Sequence, residues 1–456
     1  METLAKITRR LANGETNSRY LVEQCLGAIS DQHGEGSRTF ITYDAEKARA
    51  TADAMDVLRK TGYASSAYAG IPISVKDLFD IQGEVTTAGS ILLQNSSPAT
   101  HDAISISLLR NAGFILIGRT NMTEFAYSGL GLNSHFGTPK NPFDRKIGRI
   151  PGGSSSGAAV SVSDGMAMAA IGTDTGGSIR IPAALCGLVG FKPTARRVST
   201  KGVYPLCQSL DSVGPIALSV SCCAAIDKIL SASEKPIFGN RRVSGLSLGI
   251  PQTYVLDTLE SEIATSFERT ITKISEAGAH ISEIPLTCLA DIPKINSGGG
   301  IYAEAWAVHQ EQFAQSRALY DRRVADRLEL VSNIRSSDYI KVLDARRSLI
   351  DEANNITANL DALILPTTPS VAPTISELEG NDSTYLEMNA RMLRNCFCFN
   401  FLDRCALSIP CHEPGSSPSG LMLVGESYGD NKLLEIGIAI EKIINLANEQ
   451  ADSDTT

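Results

Sequence analysis

Apolar residues recur at helical spacing from Asn17 or Ser18 onward, with Leu21, Val22, Cys25, Leu26 and Ile29 on one face. A second helical pattern starts at Asp44 and runs through Ala45, Ala48, Ala52 and Met55 to about Leu58. The period then changes. Ile71, Ile73 and Val75 alternate, which predicts a half-buried strand. Helix signals return at Ile104–Asn111, with Gly113 as the stop, and Phe114–Ile117 follows as a strand. A helix is expected from Gly157 to about Asp164, and Met166–Ile171 forms a short apolar strand. Beyond residue 230, Leu246–Ile250 predicts another strand, and Asp257-Thr-Leu-Glu260 has the form of a capping box. The helix behind it carries Ile263, Phe267, Ile271 and Ile274 and ends at Gly278. Residues 301–347, with the single tryptophan Trp306, are strongly helical. Strands are expected again at Ala362–Leu365, Ala406–Ile409 and Leu421–Val424, then an amphipathic helix over about 431–447 and a disordered tail over 451–456.

Strand and helix patterns that alternate in this way predict an α/β fold: a central mixed, mostly parallel sheet with helices on both faces. No internal repeat or low-complexity linker divides the chain, so one composite domain is expected over 1–456. Within it, 1–65 supplies N-terminal helices and 66–230 the motif-rich core. Residues 231–350 form a variable helical part that covers the site, and 351–456 complete the sheet.

Composition narrows the function. The 456 residues are 43% hydrophobic and 20% charged, ample for a large core. A net charge of −9 without a Lys/Arg cluster argues against nucleic acid or anionic membrane as the main partner. There is no charged-then-apolar leader and no apolar run long enough to span a bilayer, so a cytoplasmic protein is expected. The ten cysteines include no C-x-x-C pair, which predicts buried free thiols and no metal site.

Candidate chemistry concentrates in residues 151–194. Two Gly/Ser-rich loops flank a short apolar segment, and Ser178 directly follows Gly176-Gly177. A serine at a glycine-rich turn suits acyl transfer: its hydroxyl attacks a carbonyl, and nearby backbone N–H groups hold the oxyanion that develops. None of the six histidines sits in such a turn. Lys76 is the stronger candidate base, because it falls where the strand at Ile71–Val75 meets its loop. A lysine desolvated there has a lowered pKa and can act as a neutral base.

Lys76, Gly152-Gly-Ser-Ser-Ser-Gly157 and Gly172-Thr-Asp-Thr-Gly-Gly-Ser178 together resemble the amidase signature family. The resemblance is strong over about residues 5–225 and returns at Leu363-Ile-Leu-Pro-Thr-Thr-Pro369 and Gly420-Leu-Met-Leu-Val-Gly425. It implies the amidase signature fold and a Ser–cis-Ser–Lys triad, with Ser178 as nucleophile, Ser154 as the bridging cis-serine and Lys76 as base. It also implies an oxyanion hole from Thr175, Gly176, Gly177 and Ser178, and no cofactor. Ser156 stands where glycine is common, and Ser154 is assigned as the bridge because its interval to Ser178 matches that of the family's two serines.

Other readings of these motifs compete. Gly153-Ser-Ser-Ser-Gly157 fits the nucleophile elbow of α/β-hydrolases, with Ser155 as nucleophile and a late histidine such as His412 as base. That elbow needs a buried strand before it, and Phe143–Ile150 is charged and broken. Gly152 to Gly157 has Walker A spacing, but Ala158 replaces the required lysine. Asp174 and Arg180 are expected to form a structural ion pair that braces the loop, rather than to bind substrate.

By resemblance, Ala126, Tyr127 and Ser128 lie near the acyl group; Leu206, Cys207 and residues within 300–330 are vaguer candidates. No carboxylate-binding arginine stands out in the sequence. Three functions follow: an amidohydrolase that releases ammonia or an amine from a small-molecule amide, the glutaminase component (the A subunit) of a tRNA-dependent amidotransferase that strips ammonia from glutamine, or a serine esterase or carbamate hydrolase. A homodimer is compatible with all three.

Overall fold

Lys76 ends a strand that is buried along its whole length, and the sheet around that strand explains why. The computed structural model describes residues 1–233, 235, 237 and 239–454, with 446–454 described by their backbone. Its strands are β1 (Phe40–Thr42), β2 (Pro72–Lys76), β3 (Ile115–Thr120), β4 (Ala169–Asp174), β5 (Val189–Lys192), β6 (Ser212–Ala217), β7 (Ser247–Pro251), β8 (His280–Ile284), β9 (Ala362–Pro366), β10 (Ala406–Pro410) and β11 (Gly420–Val424). Among the described residues they form one sheet in the order β1-β3-β2-β4-β6-β5-β10-β11-β9-β7-β8.

The sheet is mixed, as expected, but it is not mostly parallel. Parallel pairing is confined to two runs, β3-β2-β4 and β9-β7-β8. The other junctions, including the whole middle of the sheet, are antiparallel. Connections account for the difference. A parallel neighbour needs a crossover, and helices supply it: Ile104–Asn111 between β2 and β3, and Ser261–Glu276 between β7 and β8. β10 and β11 are instead joined by the short connection 411–419 and pair antiparallel.

Both faces are covered. Ala170 of β4 and Ile216 of β6 belong to one apolar cluster with Ala158, Ala159 and Val162 of the helix Ser156–Ser163. Their neighbours Ala169, Ile171, Val213 and Ala217 point the other way, into the main core. The alternation at Ile71, Ile73 and Val75 therefore does not mark a half-buried strand. The positions between them, Pro72 and Ser74, are buried as well, and Ser74 Oγ lies 2.8 Å from Ser161 Oγ of that helix.

Several expected helices match closely. Ser18–Ser30 is capped by the Asn17 side chain, Ala45–Lys60 by Asp44, and Ile104–Asn111 stops before Gly113 at φ 86°. The capping box at Asp257–Glu260 is absent. The helix begins at Ser261 without a side-chain cap, because the Glu260 carboxylate accepts instead from the Val371 N–H at 3.0 Å. Residues 301–347 are largely helical, as expected, in separate pieces. They break into Ala303–Ser316, Arg322–Val331 and the start of Ser336–Thr357, with Asp321 capping the second. The last helix runs Asp430–Asp454, so it takes in most of the expected disordered tail; Thr455 and Thr456 lie outside the described residues. Among the described residues no helix is long and apolar enough to cross a membrane. All ten cysteines are buried and free.

Candidate active site

The two Gly/Ser-rich loops meet at the end of β2. Lys76 is flanked there by β3 and β4 and is fully buried. Its Nζ lies 2.8 Å from Ser154 Oγ and 2.8 Å from Thr173 Oγ1. No ion pair forms at Lys76 among the described residues. Burial lowers its pKa from the ordinary lysine value to about 7, even though Asp174 and Asp211 act in the opposite direction. The amine is thus poised to exchange a proton near neutrality.

Ser154 is presented by a tight turn. The Gly153–Ser154 peptide bond is cis. The Gly153 N–H donates to the Gly129 carbonyl at 2.8 Å, and the Ser154 carbonyl accepts from the Thr123 N–H at 3.1 Å. A side chain has no room here: a Cβ on Gly153 would lie 2.4 Å from the backbone nitrogen of Gly131. The next N–H, that of Ser155, donates to the Ser178 carbonyl at 3.3 Å and ties the two loops together. The Ser178 hydroxyl makes no hydrogen bond to any other described residue.

The turn before Ser178 is wound around the Asp174 carboxylate. This group accepts from the N–H of Gly177 at 2.8 Å, from Ile179 N–H at 3.2 Å, from Arg180 Nε at 3.0 Å and Nη2 at 2.9 Å, and from Asn400 Nδ2 at 2.9 Å. Asp174 and Arg180 are both fully buried, and the guanidinium holds the carboxyl well below its ordinary range. Gly177 has φ 132°, and a Cβ there would meet Ile181 Cδ1 at 2.6 Å and Cys396 Cβ at 2.7 Å, so only glycine fits.

These bonds correct one expectation. Because the Gly177 N–H is spent on Asp174, it is not a free oxyanion donor. The N–H groups of Thr175, Gly176 and Ser178 make no hydrogen bond to any other described residue and remain available. The expected ion pair between Asp174 and Arg180 is present and braces the loop.

The three residues expected near the acyl group differ in what they do. Ala126 is buried, with φ 60°, and follows Phe125 at φ 51°. The Tyr127 ring centroid lies 5.4 Å from that of Tyr302, and the Arg327 guanidinium covers it at 4.3 Å. The Ser128 hydroxyl is committed elsewhere: it donates to Asn389 Oδ1 at 2.9 Å and accepts from Leu130 N–H at 3.2 Å. The site also uses residues that sequence reasoning missed. Thr173 lies inside the motif that contains Ser178, but its bond to Lys76 has no local signal. Asp211 accepts from the Thr175 hydroxyl and from the N–H groups of Leu206 and Cys207, and burial raises its pKa to about 6. Asn400 reaches the loop from a distant helix, Asp382–Phe401.

The elbow built on Ser155 is not present. No strand precedes it, and its Oγ donates to the Thr173 carbonyl at 3.3 Å. His412 packs against Gly187, and no hydrogen bond joins it to Ser155.

The profile of the Amidase family matches residues 21–434. The chain is 32% identical over 449 residues to 2-amino-5-chloromuconic acid deaminase of Comamonas testosteroni, covering 97% of this chain and 96% of that protein. It is also 32% identical over 491 residues to the A subunit of glutamyl-tRNA(Gln) amidotransferase of Roseiflexus sp., covering 99% and 98%. Among solved structures, one described as a crystal structure of amidase superposes with a TM-score of 0.88 at 30% identity, covering 97% of this chain and 99% of that one.

Proposed function

The chain belongs to the amidase family, and from that premise we propose that it hydrolyses a small-molecule amide by itself, through an acyl-enzyme on Ser178. The observation that carries the reading is the contact between Lys76 and Ser154: a fully buried amine, with no ion pair among the described residues, on the hydroxyl expected to bridge to the nucleophile.

The steps follow from these groups. The neutral Lys76 amine accepts the Ser154 proton while one of its N–H bonds donates to Thr173. Ser154 in turn accepts the Ser178 proton, and Ser178 Oγ bonds to the amide carbon. The carbonyl electron pair moves onto oxygen, where the N–H groups of Thr175, Gly176 and Ser178 can hold it. Collapse breaks the C–N bond, and the proton returns from Lys76 through Ser154 to the departing nitrogen. Water repeats the cycle on the ester and releases the acid. General acid–base assistance of this type is worth about 10²–10⁴ in rate, and each oxyanion donor about 10²–10³.

A second reading has its own support. The amidotransferase relative from Roseiflexus matches end to end at the same identity as the deaminase, so glutamine hydrolysis for a partner protein competes. One experiment separates the two: ammonia or amine release by the purified chain from aliphatic, aryl and dicarboxylic amides and from glutamine, with Ser178→Ala as control. Release that vanishes in the variant supports the stand-alone enzyme. Silence from the folded chain, followed by glutamine turnover once partner proteins are added, favours the amidotransferase. Esters and carbamates in the same panel define the range of bonds cleaved.

A further inference from the structure

Thr175 and Asp211 face each other just beyond the last rung of the β4–β6 ladder. That ladder is antiparallel and ends with Asp174 opposite Ser212, so the next pair in register is Thr175 with Asp211. Both residues are buried. Thr175 carries one of the backbone N–H groups left available for an oxyanion. Asp211 lies outside both Gly/Ser-rich loops and acts on Lys76 only through space.

The Asp211 carboxylate divides its two oxygens. Oδ1 accepts from the Thr175 hydroxyl, while Oδ2 accepts from the N–H groups of Leu206 at 3.0 Å and Cys207 at 3.1 Å. The backbone closes the same turn, because the N–H groups of Leu210 and Asp211 both donate to the Cys207 carbonyl, at 2.9 and 2.8 Å. Farther out, Cys207 Sγ donates to the Ile301 carbonyl at 3.5 Å and the Ser209 N–H to Glu304 Oε2 at 3.0 Å. The Tyr339 hydroxyl donates to Glu304 Oε1 at 2.7 Å. Asp211 forms no ion pair among the described residues. A buried carboxylate without a cation depends on such donors, so neither oxygen is free to turn away.

A threonine hydroxyl has a single proton, and its side chain is stiff at χ1. With that proton given to Asp211, the Cα–Cβ bond of Thr175 is tethered, and with it the backbone that carries the Thr175 N–H. Any residue would supply an N–H at this position. What the hydroxyl adds is aim, and an oxyanion donor works only when it is held on the place where charge develops. Resting on the amide-hydrolase reading, we propose that Asp211 is a positioning residue: through the Thr175 hydroxyl it aims the Thr175 N–H at the oxyanion formed when Ser178 attacks. The competing role is a staple for the 206–211 turn, which would matter to stability and not to the reaction.

The test measures kcat and KM on whichever amide turns over fastest. Thr175→Val keeps the side chain's shape and removes the proton. Its kcat should fall by about 10–100-fold, less than the loss of a whole oxyanion donor, with KM nearly unchanged. Thr175→Ser should recover most of the loss. Asp211→Asn has one amide oxygen and cannot accept on both sides, so it should resemble Thr175→Val. The double variant should lose no more than the worse single one, because both changes remove the same contact. Wild-type kcat in Thr175→Val, a Thr175→Ser no better than Thr175→Val, or losses that multiply in the double variant would each overturn the proposal. Should Asp211→Asn not fold, the two Thr175 variants decide. If no amide turns over, the hydrolase reading fails by itself, and the rate of fluorophosphonate labelling at Ser178 replaces kcat, since that attack also builds negative charge on an oxygen. The same pattern of loss and recovery then supports the aiming role, equal rates reject it, and a wild type that takes no label rejects both.

Discussion

Lys76 Nζ and Ser154 Oγ stand 2.8 Å apart inside the protein, with Thr173 as the lysine's only other hydrogen-bond partner among the described residues. An amine this deeply buried is cut off from water and has no ion-pair partner among the described residues, so it sheds its proton at about 7, well below the ordinary lysine value. The same burial that makes the group costly to charge makes it useful as a base.

Activity should therefore rise with pH through a limb near 7, as Lys76 loses its proton, and stay high on the alkaline side. No histidine contributes, so the limb should persist in His412→Asn. A kcat/KM profile whose acid limb disappears in that variant would reject lysine as the base. Lys76→Met should lose about 10²–10⁴ in kcat at every pH.

The adjacent serines should separate cleanly. Ser154→Ala removes the partner of Lys76, and kcat should fall by about 10²-fold or more. Ser155→Ala removes only a long hydrogen bond to the Thr173 carbonyl, with an expected stability loss of about 1 kcal/mol. Fluorophosphonate labelling reads the nucleophile directly. Label should remain in Ser155→Ala and vanish in Ser178→Ala, and the reverse pattern would assign the chemistry to Ser155.

Much of this site was legible in the sequence, for identifiable reasons. Ser154 and Ser178 lie in short motifs whose glycines admit backbone that other residues cannot follow, as the Gly177 geometry illustrates, and Lys76 ends the strand signalled by Ile71–Val75. The helices at Ser18–Ser30 and Ala45–Lys60 were marked by local caps and spacing. What escaped was non-local. The antiparallel middle of the sheet depends on pairing between strands far apart in the chain, such as β5 with β10. Asn400 reaches the site from a helix that carries no motif. The Gly177 N–H was expected to face the substrate, and only the position of the Asp174 carboxylate reveals that it is occupied. Glu260 failed as a capping residue for the same kind of reason: a tertiary partner, Val371, took its carboxylate.

Gly176 and Gly177 should respond differently to alanine. At Gly177 the added methyl meets Ile181 and Cys396 at under 3 Å with φ at 132°, so the loop must shift. The shift displaces the neighbouring Gly176 and Ser178 N–H groups, so kcat should fall by about 10²-fold, the scale of one oxyanion donor misplaced. At Gly176 the methyl meets Leu393, Phe397 and the Tyr302 hydroxyl at ordinary contact distance. The chain should fold normally, and kcat should fall much less than in Gly177→Ala. Equal losses of kcat in both variants would argue that the close contacts at Gly177 do not set the loop's shape.

Arg180→Leu should be among the most destabilising single changes in the core. It leaves the fully buried Asp174 carboxylate with its backbone donors and Asn400 but without its cation. Breaking a buried pair in this way costs about 3–5 kcal/mol, which thermal unfolding should report as a fall in Tm of several degrees. Pairing it with Asp174→Asn, which removes the stranded charge, should recover part of the loss. A double variant no more stable than Arg180→Leu would show that shape, not charge, dominates at this position.

The buried lysine also sets how stability varies with pH, and the sign can be worked out. Unfolded, Lys76 titrates near 10.4; folded, near 7. Between these values the unfolded chain binds more protons than the folded one, so this residue makes stability rise with pH across the window. Below pH 7 both states are protonated and the penalty of the buried charge is fully present; above about 10.4 both are neutral and it is gone. Lys76→Met carries no such penalty. Measured by denaturant unfolding, the wild type should gain on the order of 2 kcal/mol relative to Lys76→Met between pH 6 and pH 9. A difference that stays constant over that range would mean that Lys76 keeps its ordinary pKa in the folded protein, and it could not then serve as a neutral base near pH 7.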